Sequence, residues 1–343
     1  MMRFRWMLAA MLLIMPLHAQ DDSDDPYAIA LERIAAAQAS GATMLDLVEL
    51  GLTRLPPEIG NFTALGRLYL GGNQLTELPP EIGNLTALQW LGLGGNQLTV
   101  LPPEIGNLTA LQELDLDRNQ LTQIPSEIGN FTVLQTLYLG NNLLTTVPPE
   151  IYMLSTLHQL GLSSNQLTEL SPEIGNLNSL QVLGLGNNHL TTLPPEIGNL
   201  TALEALSLHD NHLTTLPSEI GNLTALEILN LNDNQLTSVP REISNLTALR
   251  IFYLKDNQLK LLPITLGDLP QLNNFDANNN PLEFPPPEIT TQGDDAILNF
   301  LRDPYPMPPF RLSAQVVGTV AVWVVSLVGS VWVWLALLRR GQV

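Results

Sequence analysis

Seven residues between positions 69 and 138 carry the side chains best suited to binding chemistry: Tyr69, Trp90, Glu113, Asp115, Asp117, Arg118 and Tyr138. Aromatic rings beside carboxylates suit two kinds of ligand, the faces of sugar rings or the anchoring side chains of a basic protein partner. Glu113 and Asp115 also form the sort of carboxylate pair that general acid–base hydrolysis uses. That chemistry needs a cleft that sheds water, and nothing in the surrounding sequence encloses the pair, so the chain reads as a binder and not an enzyme. His189 and His212 lie 23 residues apart, with His209 and Asp210 close by. Stacked histidines about 5 Å apart could share a divalent ion. They also read as substitutions in a column otherwise held by Gln74, Gln97 and Gln120, and on that reading neither metal nor cofactor is expected.

Bulk composition narrows the classes further. With no cysteine there are no disulfides, thiolate metal sites or cysteine nucleophiles, and stability must come from packing. A formal net charge of −19 repels nucleic acid phosphates, so no nucleic-acid partner is expected.

The residues that position the seven side chains form a repeat. Asn73, Asn96, Asn119, Asn142, Asn165, Asn188, Asn211, Asn234, Asn257 and Asn280 follow one another every 23 residues. A leucine stands eight before and two after each of them; five before is leucine until Phe252 and Phe275. One more unit comes first, with Leu45, Leu47, Leu52 and Leu55 in phase and Leu50 in the asparagine slot. Self-similarity of this kind decides the architecture before any propensity does. The stretch L-x-x-L-x-L-x-x-N-x-L predicts a short strand and a turn. Leu114 and Leu116 then face inward while Glu113, Asp115 and Asp117 face out. The asparagine amide, donor and acceptor at once, can satisfy turn backbone groups that burial would leave without partners. The second half, LPPEIGNLTAL, cannot continue a strand, because Pro102 and Pro103 remove two donors. It should return as a short helical turn with Ile105 and Leu108 pointing back into a core shared by neighbouring units.

These residues resemble the leucine-rich repeat family, in particular its 23-residue class of bacterial and Ras-regulating-like proteins, with "LPPEIGNLTALQ.L.L..NQLT" as the signature. The resemblance implies an α/β solenoid: a right-handed horseshoe with a concave parallel β-sheet and capping helices at both ends. About 11 units fill 43–282, and a C-terminal cap fills 283–303. In 20–42 an acidic segment leads into YAIALERIAAAQAS, an N-terminal capping helix with Ile29, Ile34 and Ala37 on one side, stopped by Gly41. The closing helix is expected over 296–302, with Ile297, Leu298 and Leu301 apolar. Similar endings precede GTPase domains in some bacterial relatives. No GxxxxGK[ST] phosphate loop follows here, so no nucleotide is expected.

Eleven strands about 4.8 Å apart make a sheet roughly 50 Å across, enough for a folded partner or a linear polymer. Six residues before each asparagine, its outward column reads Arg67, Trp90, Glu113, Thr136, Gln159, Val182, Ala205, Ile228, Ile251 and Asn274. These vary while the leucines do not, as a binding surface on a fixed scaffold should. A glutamate column from Glu58 to Glu288 reads as a solvated outer face with acids at helix starts. Sequons at Asn61, Asn84, Asn107, Asn130, Asn199, Asn222 and Asn245 read as the repeat's fixed wording, not as glycan acceptors.

Both ends speak of a membrane. Residues 1–19, with Arg3 and Arg5 before an apolar stretch, have the layout of a secretory signal peptide. A Pro-rich linker, 304–315, leads to an uncharged stretch over 316–338 that would cover about 34 Å as a helix, enough to span a bilayer. Arg339 and Arg340 open the tail, 339–343, which the positive-inside rule places in the cytoplasm. The expected protein is single-pass at the cell membrane with its repeats extracytoplasmic. It would recognise a protein or glycan ligand through the concave face; the alternative is a structural envelope protein with no specific ligand.

Overall fold

A computed structural model describes residues 25–303. The expected leader, linker, membrane span and tail lie outside these residues. Among the described residues no helix is long and apolar enough to cross a membrane.

Each repeat contributes a strand of three residues. They are β1 (Met44–Asp46), β2 (Arg67–Tyr69), β3 (Trp90–Gly92), β4 (Glu113–Asp115), β5 (Thr136–Tyr138), β6 (Gln159–Gly161), β7 (Val182–Gly184), β8 (Ala205–Ser207), β9 (Ile228–Asn230), β10 (Ile251–Tyr253) and β11 (Asn274–Asp276). They pair in parallel and in chain order, as one 11-stranded sheet. Residue n faces residue n+23 throughout, so every sequence column is a physical row across the sheet.

Beyond each strand the chain turns through a residue with positive φ. Gly72 and Gly95 fill this corner in two repeats, and Arg118 (φ 56°), Asn141, Asp210 and their counterparts fill it elsewhere. The asparagine follows and is buried from Asn73 to Asn257. Asn142 shows its use: Nδ2 donates to the carbonyls of Leu139 in its own repeat and Leu116 in the previous one, at 3.1 and 3.0 Å. Its Oδ1 accepts from the Leu121 N–H at 3.0 Å. One amide thus satisfies backbone groups of two successive turns that have no regular partner.

The return segment is a 3-10 helix, as in Pro103–Asn107, started by proline and bringing Ile105 into the core. Its glycine is set by the next repeat. A Cβ on Gly106 would lie 2.6 Å from the Glu127 Cβ and 2.8 Å from the Glu127 carbonyl oxygen. Tyr152 departs from this rule by filling the glycine slot, and it is buried there. Burial pushes its phenol up to about 12, opposed by a backbone hydrogen bond from Ser171. Ser171 stands where most repeats have proline.

Leucines and isoleucines from all repeats form one continuous core. Helix α1 (Pro26–Ser40) closes one end, capped by the Asp25 side chain and ended by Gly41 in the left-handed region. Its buried residues are Ala30 and Ile34, with Ala37 packed beside them. Ile29, expected on that side, is only half-buried, because the helix turns one position further toward Ala30. At the other end α2 (Pro287–Thr290) leads into α3 (Asp294–Arg302), which buries Ile297, Leu298 and Leu301. Asp294 ties it down by accepting from the Ala277 N–H at 2.9 Å.

Candidate functional site

The parallel register brings the seven candidate residues onto four adjacent strands and the corner after β4. One row runs Arg67, Trp90, Glu113, Thr136; the other runs Tyr69, Gly92, Asp115, Tyr138. Trp90 thus stands beside Glu113, and Asp115 beside Tyr138. The rings of Tyr69 and Trp90 meet at 6.0 Å between centroids, tilted by 46°. Tyr138 donates its hydroxyl to Gln159 Oε1 at 2.7 Å.

Glycines one repeat away make room for these groups. A Cβ on Gly161 would lie 3.0 Å from Tyr138 Cδ1, and one on Gly94 would lie 2.9 Å from Asp115 Oδ2. The Gly140 N–H donates to Asp117 Oδ1. Sequence reasoning named the acids and rings and put Gln159 and Gly161 on the outward columns, but it left both out of the site and missed Gly94 and Gly140. The signal was present, since an aromatic or acid in a column is followed 23 residues on by glycine at Tyr69/Gly92, Tyr138/Gly161 and Asp117/Gly140.

Crowding the three acids on a half-buried surface perturbs them. Burial, with the Asp115 charge added, pushes the Glu113 carboxyl from 4.5 up to about 7. Asp115 is raised by burial, against a hydrogen bond from the Asp117 N–H and the Arg118 charge, which lower it. Asp117 is raised by burial and the Asp115 charge, against the Gly140 hydrogen bond and Arg118. Burial and the three carboxylates together raise Tyr138. Arg118 acts from the corner, in a backbone conformation that most repeats give to glycine, asparagine or aspartate. The result is an aromatic floor around carboxylates whose charge a ligand cation would stabilise.

The other candidates fall elsewhere. His189 and His212 stack at 5.6 Å with planes 11° apart, so their in-plane lone pairs run side by side instead of converging on one ion. His209 Nδ1 meets Asp210 Oδ2 at 2.7 Å. Among the described residues no group of three or more histidine, cysteine or acidic side chains could hold a metal ion. The first-turn glutamates Glu58 to Glu242 start the 3-10 helices on the far side from the sheet face. A broad trough on that same side is floored by Gly60, Gly83 and Gly106 and holds neither a charged group nor a ring.

Two family models, described as leucine-rich repeat region and leucine rich repeat, match this scaffold. The first covers residues 43–122 and 150–233, the second 109–167 and 224–282, and together they leave no gap from 43 to 282. The chain belongs to the leucine-rich repeat family. Among solved structures, this leucine-rich repeat protein is similar to the functional domain of InlJ from Listeria monocytogenes, with 25% identity over 73% of this chain and 54% of that one, at a TM-score of 0.64. That domain includes a cysteine ladder; the present repeats have no cysteine. Likeness extends to the plant peptide hormone receptor RGFR1 in complex with RGF2, at 33% identity over 67% of this chain and 42% of that one, TM-score 0.55. A chain of the octameric complex of latrophilin 3, Unc5D and the leucine-rich repeat protein FLRT2 is 28% identical over 71% of this chain and 76% of that one, TM-score 0.60. The present chain therefore spans about half or less of InlJ and RGFR1. No curated protein sequence matches.

Proposed function

We propose that this leucine-rich repeat protein is a membrane-anchored, extracytoplasmic recognition protein that binds a protein partner through the acid–aromatic patch on its concave face. The observation that carries the reading is the patch itself. Glu113, Asp115 and Asp117 are held half-buried with raised pKa values beside Tyr69, Trp90 and Tyr138, where a partner's basic side chain would meet both charge and ring. A protein fits better than a neutral or acidic glycan, because three clustered carboxylates attract a cation and such sugars carry none. The similar structures solved as complexes with a peptide hormone or with other proteins support this choice. The proposed anchor is the uncharged stretch over 316–338, with the leader over 1–19 directing export. The proposed topology places 339–343 on the cytoplasmic side, after Arg339 and Arg340.

The test is capture from envelope extracts by the full-length protein, unsubstituted and as the triple variant Trp90→Ala, Asp115→Asn, Tyr138→Ala, with bound proteins identified by mass spectrometry. A partner retained by the first and lost from the second supports the reading. Identical capture by both removes the patch. Capture of nothing by either favours a structural envelope role.

A further inference from the structure

The sheet face has a second surface of different character. In β7 to β10 the first residue of each strand is Val182, Ala205, Ile228 and Ile251, paired directly from strand to strand. Val182 and Ile228 are 38% and 39% exposed, among the most exposed large apolar side chains on the strands, with Ala205 and Ile251 half-buried between and beside them. Elsewhere in that row stand Met44, Arg67, Trp90, Glu113, Thr136, Gln159 and Asn274, with no second run of adjacent aliphatic residues. This aliphatic stripe runs across the strands and is edged by acids. Glu204 and Glu227 precede β8 and β9, and Asp210 and Asp233 occupy the corners beyond them. Three of the surrounding acids are already paired, Glu227 with Arg250 at 3.4 Å, Asp256 with Lys255 at 3.3 Å and Asp210 with His209 at 2.7 Å.

We infer that the stripe is a docking site for a cationic amphipathic helix of a protein partner, laid across the strands with one aliphatic side chain per turn against one stripe residue per strand. The spacing selects a helix. Neighbouring strands are about 4.8 Å apart and a helical turn rises about 5.4 Å, whereas same-face residues of an extended peptide recur every ~6.7 Å. Over four strands the helix stays within a side-chain radius of register, and an extended segment does not. Charge selects basic flanks, since the apolar row lies between Glu204 on one side and Asp233 on the other, the two margin acids outside an ion pair. A second copy of this chain is disfavoured as occupant, because each carries a net charge of −19. The inference shares with the proposed function only the choice of the sheet face as docking side, and it assigns a separate contact, three strands from Glu113.

The experiment uses the full-length chain in zwitterionic lipid nanodiscs and a fluorescent 16-residue peptide with leucine once per helical turn and lysine between, read by anisotropy against empty nanodiscs. The expected result is saturable binding that weakens at least tenfold in Val182→Ser/Ile228→Ser and in the strand-preserving Val182→Thr/Ile228→Thr. Glu113→Gln/Asp115→Asn should leave it within about threefold. A scrambled peptide of the same composition should bind at least tenfold less tightly. Equal binding of the scrambled peptide, unchanged binding by both stripe variants, or no binding above empty nanodiscs overturns the inference. Loss confined to Glu113→Gln/Asp115→Asn also overturns it, while leaving recognition through the acid–aromatic patch standing.

Discussion

The ring of Tyr138 lies over Gly161, one repeat further on in the same row, with Cδ1 3.0 Å from the point where a Cβ would begin. Glycine at 161 is therefore part of the patch although it has nothing to bind with. Gly161→Leu should turn Tyr138 away from Asp115 and cut partner capture at least fivefold. Because a flexible ring gives way and no backbone does, the melting temperature should hold within about 2 °C. A matched fall in melting temperature would mean that the glycine serves the scaffold.

Glu113 makes the patch sensitive to pH. Its carboxyl lies near 4.5 when unfolded and about 7 when folded, so folding favours the protonated form. Its contribution to stability is fully present below pH 4.5 and is lost as pH rises through about 7. Asp115 and Asp117, also raised, act in the same direction. Thermal unfolding of wild type and Glu113→Gln at pH 5 and 8.5 checks this: the substitution should stabilise at pH 8.5 and change little at pH 5. A basic partner prefers the ionised carboxyl, so its affinity should rise across the same interval, with proton release on binding.

Asn142 should prove costly to replace. Asn142→Ala leaves the buried Leu121 N–H without its partner and takes from the carbonyls of Leu116 and Leu139 one of two donors, Asn119 and Asn165 supplying the other. The expected loss is about 3 kcal/mol, read by urea unfolding. Asn142→Asp keeps the acceptor and loses both donors, and it should destabilise by a similar amount at neutral pH.

Gly106→Ala tests the close approach of successive 3-10 helices. The new methyl meets the Glu127 carbonyl of the next repeat, which is backbone and cannot rotate away. A loss of roughly 1–3 kcal/mol is expected from overpacking. Gly66 offers the control: a Cβ there would find only the Thr43 carbonyl at 3.4 Å, so Gly66→Ala should stay within about 0.5 kcal/mol.

The leucine and asparagine columns made the scaffold legible, because a 23-residue period converts directly into strand register. Given the register, rows such as Trp90–Glu113 and Asp115–Tyr138 could be written down from the sequence alone. Other features depend on distances across the repeat boundary, which no column displays. The raised Glu113 carboxyl arises from burial among neighbours, whereas the seat for Tyr138 was written in its own column as Gly161. Tyr152 replaces a glycine that its neighbours require, yet only the position of Ser171 in the next repeat shows how it is accommodated. Ile29 was misplaced because a helix as poor in large apolar residues as α1 does not fix its own rotation; contact with the first repeat does.

The most direct measurement is photo-crosslinking in living cells from single positions of the full-length protein. A photoreactive phenylalanine analogue would replace Tyr69, Thr136 or Tyr138 on the sheet face, and Glu104 or Glu196 on the opposite side. Recognition through the concave face predicts discrete protein adducts from the three sheet positions, abolished by Asp115→Asn, and none from the two others. Equal adducts from both sides, or adducts only from Glu104 and Glu196, would contradict it.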